Sequence, residues 1–66
     1  MKIRINGKEE AVDRLSSLAD LVSDKRLVPE HIVIEHNSRI VPKEEWQNTA
    51  VAENDTVEIV SFVGGG

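Results

Sequence analysis

Met1, Ile3 and Ile5 alternate with Lys2, Arg4 and Asn6 at the start of the chain, the period-two pattern of a strand with one buried face. Asn6-Gly7 follows, a pair that tolerates positive φ at both centres of a type I′ turn, so Lys8 to about Val12 is expected to return as an antiparallel strand. The polarity of that return makes it an edge. Ser17-Leu18-Ala19-Asp20 has the form of a capping box, and Leu18, Leu21 and Val22 recur at helical spacing behind it. A helix from about Leu18 to Lys25 is predicted, with Lys25 and Arg26 at the negative end of its dipole and Pro29 forbidding continuation. His31 to His36 forms a third strand that turns Ile32 and Ile34 toward the helix and Val33 and Glu35 away from it. Asn37-Ser38 turns the chain into a short strand, Arg39-Ile40-Val41, which Pro42 ends. Lys43-Glu44-Glu45-Trp46 has the character of a single helical turn, with Trp46 plugging one end of the core. Glu53-Asn54-Asp55 is a polar turn leading into a final strand, Thr56 to Val63, rich in Val, Ile, Phe and Thr.

The order along the chain is ββαβββ, with one helix to cover one face of a mixed sheet. This is an α+β fold of the β-grasp, or ubiquitin-like, type. It divides the chain into a β-grasp domain, residues 1–63, and a glycine tail, residues 64–66. A sheet covered by a single helix keeps one open face. In the final strand that face receives Glu58, Val60 and Phe62, opposite the inward Val57 and Ile59; a slip of one residue would invert the assignment. Exposed Val60 and Phe62 call for a partner, with Val33 on a neighbouring strand and Lys2 and Arg4 as a charged rim.

A length of 66 residues allows one small core and leaves little room for an enclosed catalytic cleft. Twelve acidic against eight basic residues give a net charge of −4, which disfavours nucleic acid and anionic membranes and favours a basic protein partner. No apolar run approaches the ~20 residues of a membrane span, and the N-terminus lacks a signal-peptide core, so a cytoplasmic protein is expected. The chain has no cysteine, which removes disulfides, thiolate metal sites and a cysteine nucleophile. His31 and His36, five apart, fall on opposite faces of one strand and do not converge on a metal. Glu9-Glu10 and Glu44-Glu45 suit solvated faces, and no Ser/His/Asp set or phosphate loop is present. These residues do not describe an enzyme. Gly64-Gly65-Gly66 places an α-carboxylate on a tail without side chains, able to thread a narrow slot and to reach roughly 10 Å from the sheet. A reactive terminus and an inert linker share that composition.

The block Ile40-Val41-Pro42-Lys43-Glu44-Glu45-Trp46, preceded by Asn37 and followed by a polar turn, a strand and a terminal Gly-Gly, resembles the thiamin-biosynthesis sulfur carriers of the ThiS family. The likeness spans essentially the whole chain, including the Asn-Gly turn and the helix position. Molybdopterin-synthase small subunits share the fold and the diglycine but are typically longer and lack that block. Two positions depart from the family pattern: Gly64 adds a third glycine, and His36 stands where an apolar residue is usual.

The resemblance implies that an E1-like adenylyltransferase of the ThiF type uses ATP and Mg²⁺ to adenylate the Gly66 carboxylate. A sulfur-donating persulfide protein would then convert it to a thiocarboxylate that supplies a ThiG-type thiazole synthase, with Gly64 and Gly65 as the threading tail. The carrier itself would bind no cofactor and catalyse nothing. The alternatives are a carrier for molybdopterin or tRNA thiolation, an interaction module with an inert tail, and a modifier conjugated to lysines.

Overall fold

The computed structural model describes residues 1–12 and 17–62. Five strands and one α-helix make up these residues: β1 (Lys2–Ile5), β2 (Lys8–Ala11), α1 (Leu18–Asp24), β3 (Ile32–His36), β4 (Arg39–Val41) and β5 (Thr56–Ser61). Two 3-10 segments, Pro29–His31 and Lys43–Asn48, lie before β3 and after β4. The sheet runs β2-β1-β5-β3-β4, which puts the last strand of the sequence in the middle. β5 pairs parallel with β1, through Arg4 opposite Thr56 and Ile5 opposite Val57, and antiparallel with β3, from Ile32 opposite Ser61 to His36 opposite Val57.

Both hairpins turn on two residues in the left-handed region. Asn6 and Gly7 have φ of 52° and 81°, and Asn37 and Ser38 have φ of 50° and 72°, the backbone a type I′ turn demands. The first hairpin sets β1 against β2 with Ile5 opposite Lys8, and β2 is the polar edge that its composition indicates. Asn6 also caps the neighbouring strand, since its Oδ1 accepts the Ile59 N–H at 2.7 Å.

Ser17 opens α1 with a reciprocal capping box: its Oγ accepts the Asp20 N–H at 3.3 Å, and the Ser17 N–H donates to Asp20 Oδ2 at 3.2 Å. The helix ends at Asp24, well short of Pro29. Its stop is a Schellman motif in which the Leu27 N–H donates to the Val22 carbonyl and the Arg26 N–H to the Ser23 carbonyl, both at 3.1 Å. Arg26 holds the left-handed position of that motif with φ of 56°, where glycine is usual. Lys25 departs from its expected service to the helix dipole and reaches across to β2, its Nζ 3.0 Å from Glu10 Oε1.

The core lies between α1 and the sheet. Ile3, Leu18, Leu21, Ile34 and Val57 are its most deeply buried side chains, joined by Ile5, Val22, Ile32, Trp46 and Val51. Trp46 closes one end, as its position before the polar turn suggests, and its indole N–H donates to the Val41 carbonyl at 2.8 Å. The segment that carries it is a six-residue 3-10 helix, longer than the single turn expected. The third and fifth strands are shorter than their composition suggests: His31 belongs to the preceding 3-10 segment, and β5 ends at Ser61. Val63 lies outside the described residues, as do Gly64, Gly65 and Gly66.

Replacing Arg26 by glycine relieves a side chain of left-handed strain while every motif hydrogen bond persists. Arg26→Gly is therefore expected to stabilise the fold by about 0.5–1 kcal/mol, after the entropy that glycine adds to the unfolded chain is offset. Urea denaturation of the two proteins measures it; a destabilised variant would mean that the Arg26 side chain contributes more through packing than its backbone costs.

Candidate functional site

β5 leads to the glycine tail, and its two ends are held differently. At the entry, Asp55 and the β3–β4 turn form a polar clasp. The His36 Nε2 lies 2.8 Å from Asp55 Oδ2, the Asn37 amide donates to Asp55 Oδ1 at 3.2 Å, and the Ala52 N–H donates to Asp55 Oδ2 at 2.8 Å. Asn37 then pairs with Thr56 twice: its Oδ1 accepts the Thr56 N–H at 2.9 Å and its own N–H donates to the Thr56 carbonyl at 2.8 Å. His36 thereby has a hydrogen-bonding partner at its half-buried position. Partial burial opposes ionisation of Asp55, but the Ala52 N–H, the His36 ring and the Asn37 amide outweigh it and hold its carboxyl below the usual aspartate range. At the exit, the Phe62 N–H still donates to the His31 carbonyl at 2.9 Å, so pairing continues one residue beyond the strand.

The helix-free face of the sheet carries the expected apolar patch. Val60 is 59% exposed and Phe62 46%, whereas Val57 on the opposite face is fully buried. Val33 sits directly across from Val60 in the β3–β5 register. Ile40, the most exposed of the large apolar side chains among the described residues at 68%, pairs with Glu35 and so belongs to the same face. The sequence places Ile40 in this short strand but does not assign it to a face. Only the β3–β4 register supplies that assignment, because three residues are too short a run for alternation to show which side faces out.

Lys2 and Arg4 are exposed on this face but stand apart from the patch. Arg4 is level with Thr56, four residues before Val60, or about 13 Å along the strand. The charged residues that border Val33 and Val60 are Glu35 and Glu58, which oppose each other across β3 and β5. Lys2 and Arg4, expected as a charged rim, are thus not brought next to Val33 and Val60, whereas Glu35 and Glu58 are. Gly64, Gly65 and Gly66, the expected tail and reactive end, lie outside the described residues.

On the other side of the molecule, a groove of about 400 Å³ runs between α1 and the Lys43–Asn48 segment, with Arg26 as its one charged side chain among the described residues. Among the described residues, no group of three or more His, Asp or Glu side chains is placed to hold a metal ion. No helix of the described residues is long and apolar enough to cross a membrane.

Comparison with known proteins places this sheet and its tail in one group. The model of the ThiS family matches residues 3–66, through the last glycine. The chain belongs to the ThiS family. The sulfur carrier protein ThiS of Bacillus subtilis is 31% identical over 65 residues, covering 97% of this chain and 98% of that protein. A crystal structure of the thiamine biosynthesis protein ThiS from Geobacter metallireducens superposes with a TM-score of 0.83 at 32% identity, with full coverage of both chains. The β-grasp fold expected from the element order is the fold of this family member. The thiazole synthase of Paramagnetospirillum magneticum is 35% identical over all 66 residues, and that of Magnetococcus marinus 30%. The chain spans 20% of the length of each of these two synthases.

The clasp gives a pH dependence of defined sign. Because the folded carboxyl of Asp55 titrates below its unfolded value, its contribution is complete above the ordinary aspartate range and is lost as pH falls through the folded value. Asp55→Ala is expected to cost about 1–3 kcal/mol at pH 7, through the stranded His36, Asn37 and Ala52 donors. The difference from the wild type should shrink toward acid pH in denaturant titrations; a difference constant with pH would show that the carboxylate charge contributes nothing.

Proposed function

We propose that this ThiS-family chain is a sulfur carrier whose Gly66 carboxylate is converted to a thiocarboxylate that donates sulfur to the thiazole ring of thiamin. The observation that carries this reading is the family match, which extends through Gly64, Gly65 and Gly66. The likeness to the B. subtilis carrier and to two thiazole synthases favours the thiazole ring over other sulfur-requiring products.

The chemistry suits a terminal glycine. A carboxylate resists nucleophiles until one oxygen becomes part of a leaving group, which attack on the α-phosphorus of ATP achieves with release of pyrophosphate. The terminal sulfur of a protein persulfide then adds to the acyl carbon and AMP departs, leaving an acyl disulfide. A thiol that attacks the S–S bond is oxidised to a disulfide and frees the thiocarboxylate. ATP, Mg²⁺ and the catalytic groups belong to an E1-like adenylating enzyme, and the persulfide to a donor protein. This chain contributes the electrophile and the surface that aims it, and a thiazole synthase takes the sulfur. The absence of cysteine is consistent with a carrier whose sulfur rides on the backbone terminus.

Incubation with the adenylating enzyme, ATP and a persulfide source should raise the intact mass by about 16 Da, the difference between sulfur and oxygen. Removal of Gly65 and Gly66 should abolish the shift and leave the melting temperature unchanged. An unchanged mass in the full chain, with an enzyme shown to be competent on another carrier, would overturn the reading.

The exposed face supplies a second test. Phe62→Ala should cost ~1 to 3 kcal/mol of affinity for the adenylating enzyme, as a buried aromatic anchor does, with little loss of stability. A sharp fall in melting temperature at unchanged affinity would make Phe62 a structural residue rather than an anchor.

A further inference from the structure

Glu35 and Glu58 occupy directly opposed positions on β3 and β5, beside the Val33–Val60 pair and next to Ile40. Like charges set across a strand pair destabilise a sheet. Arg4, two positions away on the neighbouring strand, shares this face, but among the described residues no ion pair is formed with either carboxylate. The ion pairs Lys25–Glu10, His36–Asp55 and Lys43–Glu30 all lie elsewhere, and no hydrogen bond among the described residues reaches either side chain. Both carboxylates are half-buried at the margin of an exposed apolar patch. A purely solvated pair would sit as well on the polar edge strand β2, where it would disturb no apolar surface.

We propose that Glu35 and Glu58 form the charged half of the docking surface and receive an arginine from the adenylating enzyme, while Val33, Ile40, Val60 and Phe62 meet apolar side chains around it. The inference rests on the sulfur-carrier reading. A guanidinium suits the position because its planar fork offers several donors to two neighbouring carboxylates and its weak hydration suits an apolar surround. Charge argues against a second copy as the occupant: superposing two such patches would bring four carboxylates together, in a chain that already carries a net charge of −4. The arrangement trades stability of the free chain for selection of a basic partner.

That trade gives the test opposite signs in two measurements. Glu58→Gln should raise the melting temperature of the free chain by about 2–5 °C, by ending the repulsion. The same change should weaken binding to the adenylating enzyme roughly tenfold at low salt and flatten the salt dependence of that binding. Glu35→Gln should behave alike, and the double variant should lose much less than the product of the two. Phe62→Ala, measured alongside, separates the two levels of the argument. If it weakens binding while Glu58→Gln raises the melting temperature and leaves affinity unchanged, the face is the docking surface and the acidic pair has no part in it. If neither variant changes affinity, the docking face itself is wrong. A wild-type chain that sediments as a dimer dissociated by Ile40→Asp would assign the face to a second copy and overturn the proposal.

Discussion

The insertion of β5 between β1 and β3 is the constraint on which the rest of the molecule depends. A strand in the middle of a sheet satisfies its own backbone on both sides and that of two neighbours, and within the described sheet β5 is the strand that joins the N-terminal hairpin to the C-terminal one. Val57, the second residue of the strand and fully buried, pairs with Ile5 and joins the core with Leu18 and Leu21 of α1. Removing β5 would leave two separate hairpins, each too small to hold a core. The arrangement is also costly to reach. Its parallel partner lies some fifty residues away in sequence, so the chain must close a long loop before the pairing yields any stability.

Central placement has a functional consequence. The strand that leads to the glycines is the one most firmly held, clasped at its entry by Asp55, Asn37 and His36, hydrogen-bonded to Asn6 in mid-strand, and paired with the His31 carbonyl at its exit. The position of His36 illustrates this hold. A polar imidazole at a half-buried position is accommodated because a carboxylate and an amide from the adjoining turns are in place.

The two faces of the sheet divide the work. One is consumed in burying α1 and Trp46. The other keeps Val33, Ile40, Val60 and Phe62 in contact with water, an arrangement that costs solubility unless a partner covers it. The carboxylates of Glu35 and Glu58 beside it keep that surface from being merely sticky, since they disfavour acidic and like-charged neighbours.

Much of this organisation is local, and local chemistry is written in the sequence. The alternation of Met1 to Asn6, the Asn-Gly turn, the capping box at Ser17 and the outward register of Val60 and Phe62 each depend on neighbours within a few residues, so periodicity and turn preference determined them. The Val-Pro-x-x-x-Trp block and the terminal glycines pointed to the family for the same reason. Features that depend on distant pairings were decided only by the tertiary structure. Lys2 and Arg4 share a face with Val60, but the offset of β1 against β5 places them at the other end of the sheet, and the opposition of Glu35 to Glu58 exists only through the β3–β5 register. Asp55 and His36, nineteen residues apart, carry no mutual signal in the sequence. Alternation along one strand says which way a side chain points; what it points beside is set by how far each strand slides along its neighbour, and that depends on the packing of the whole core.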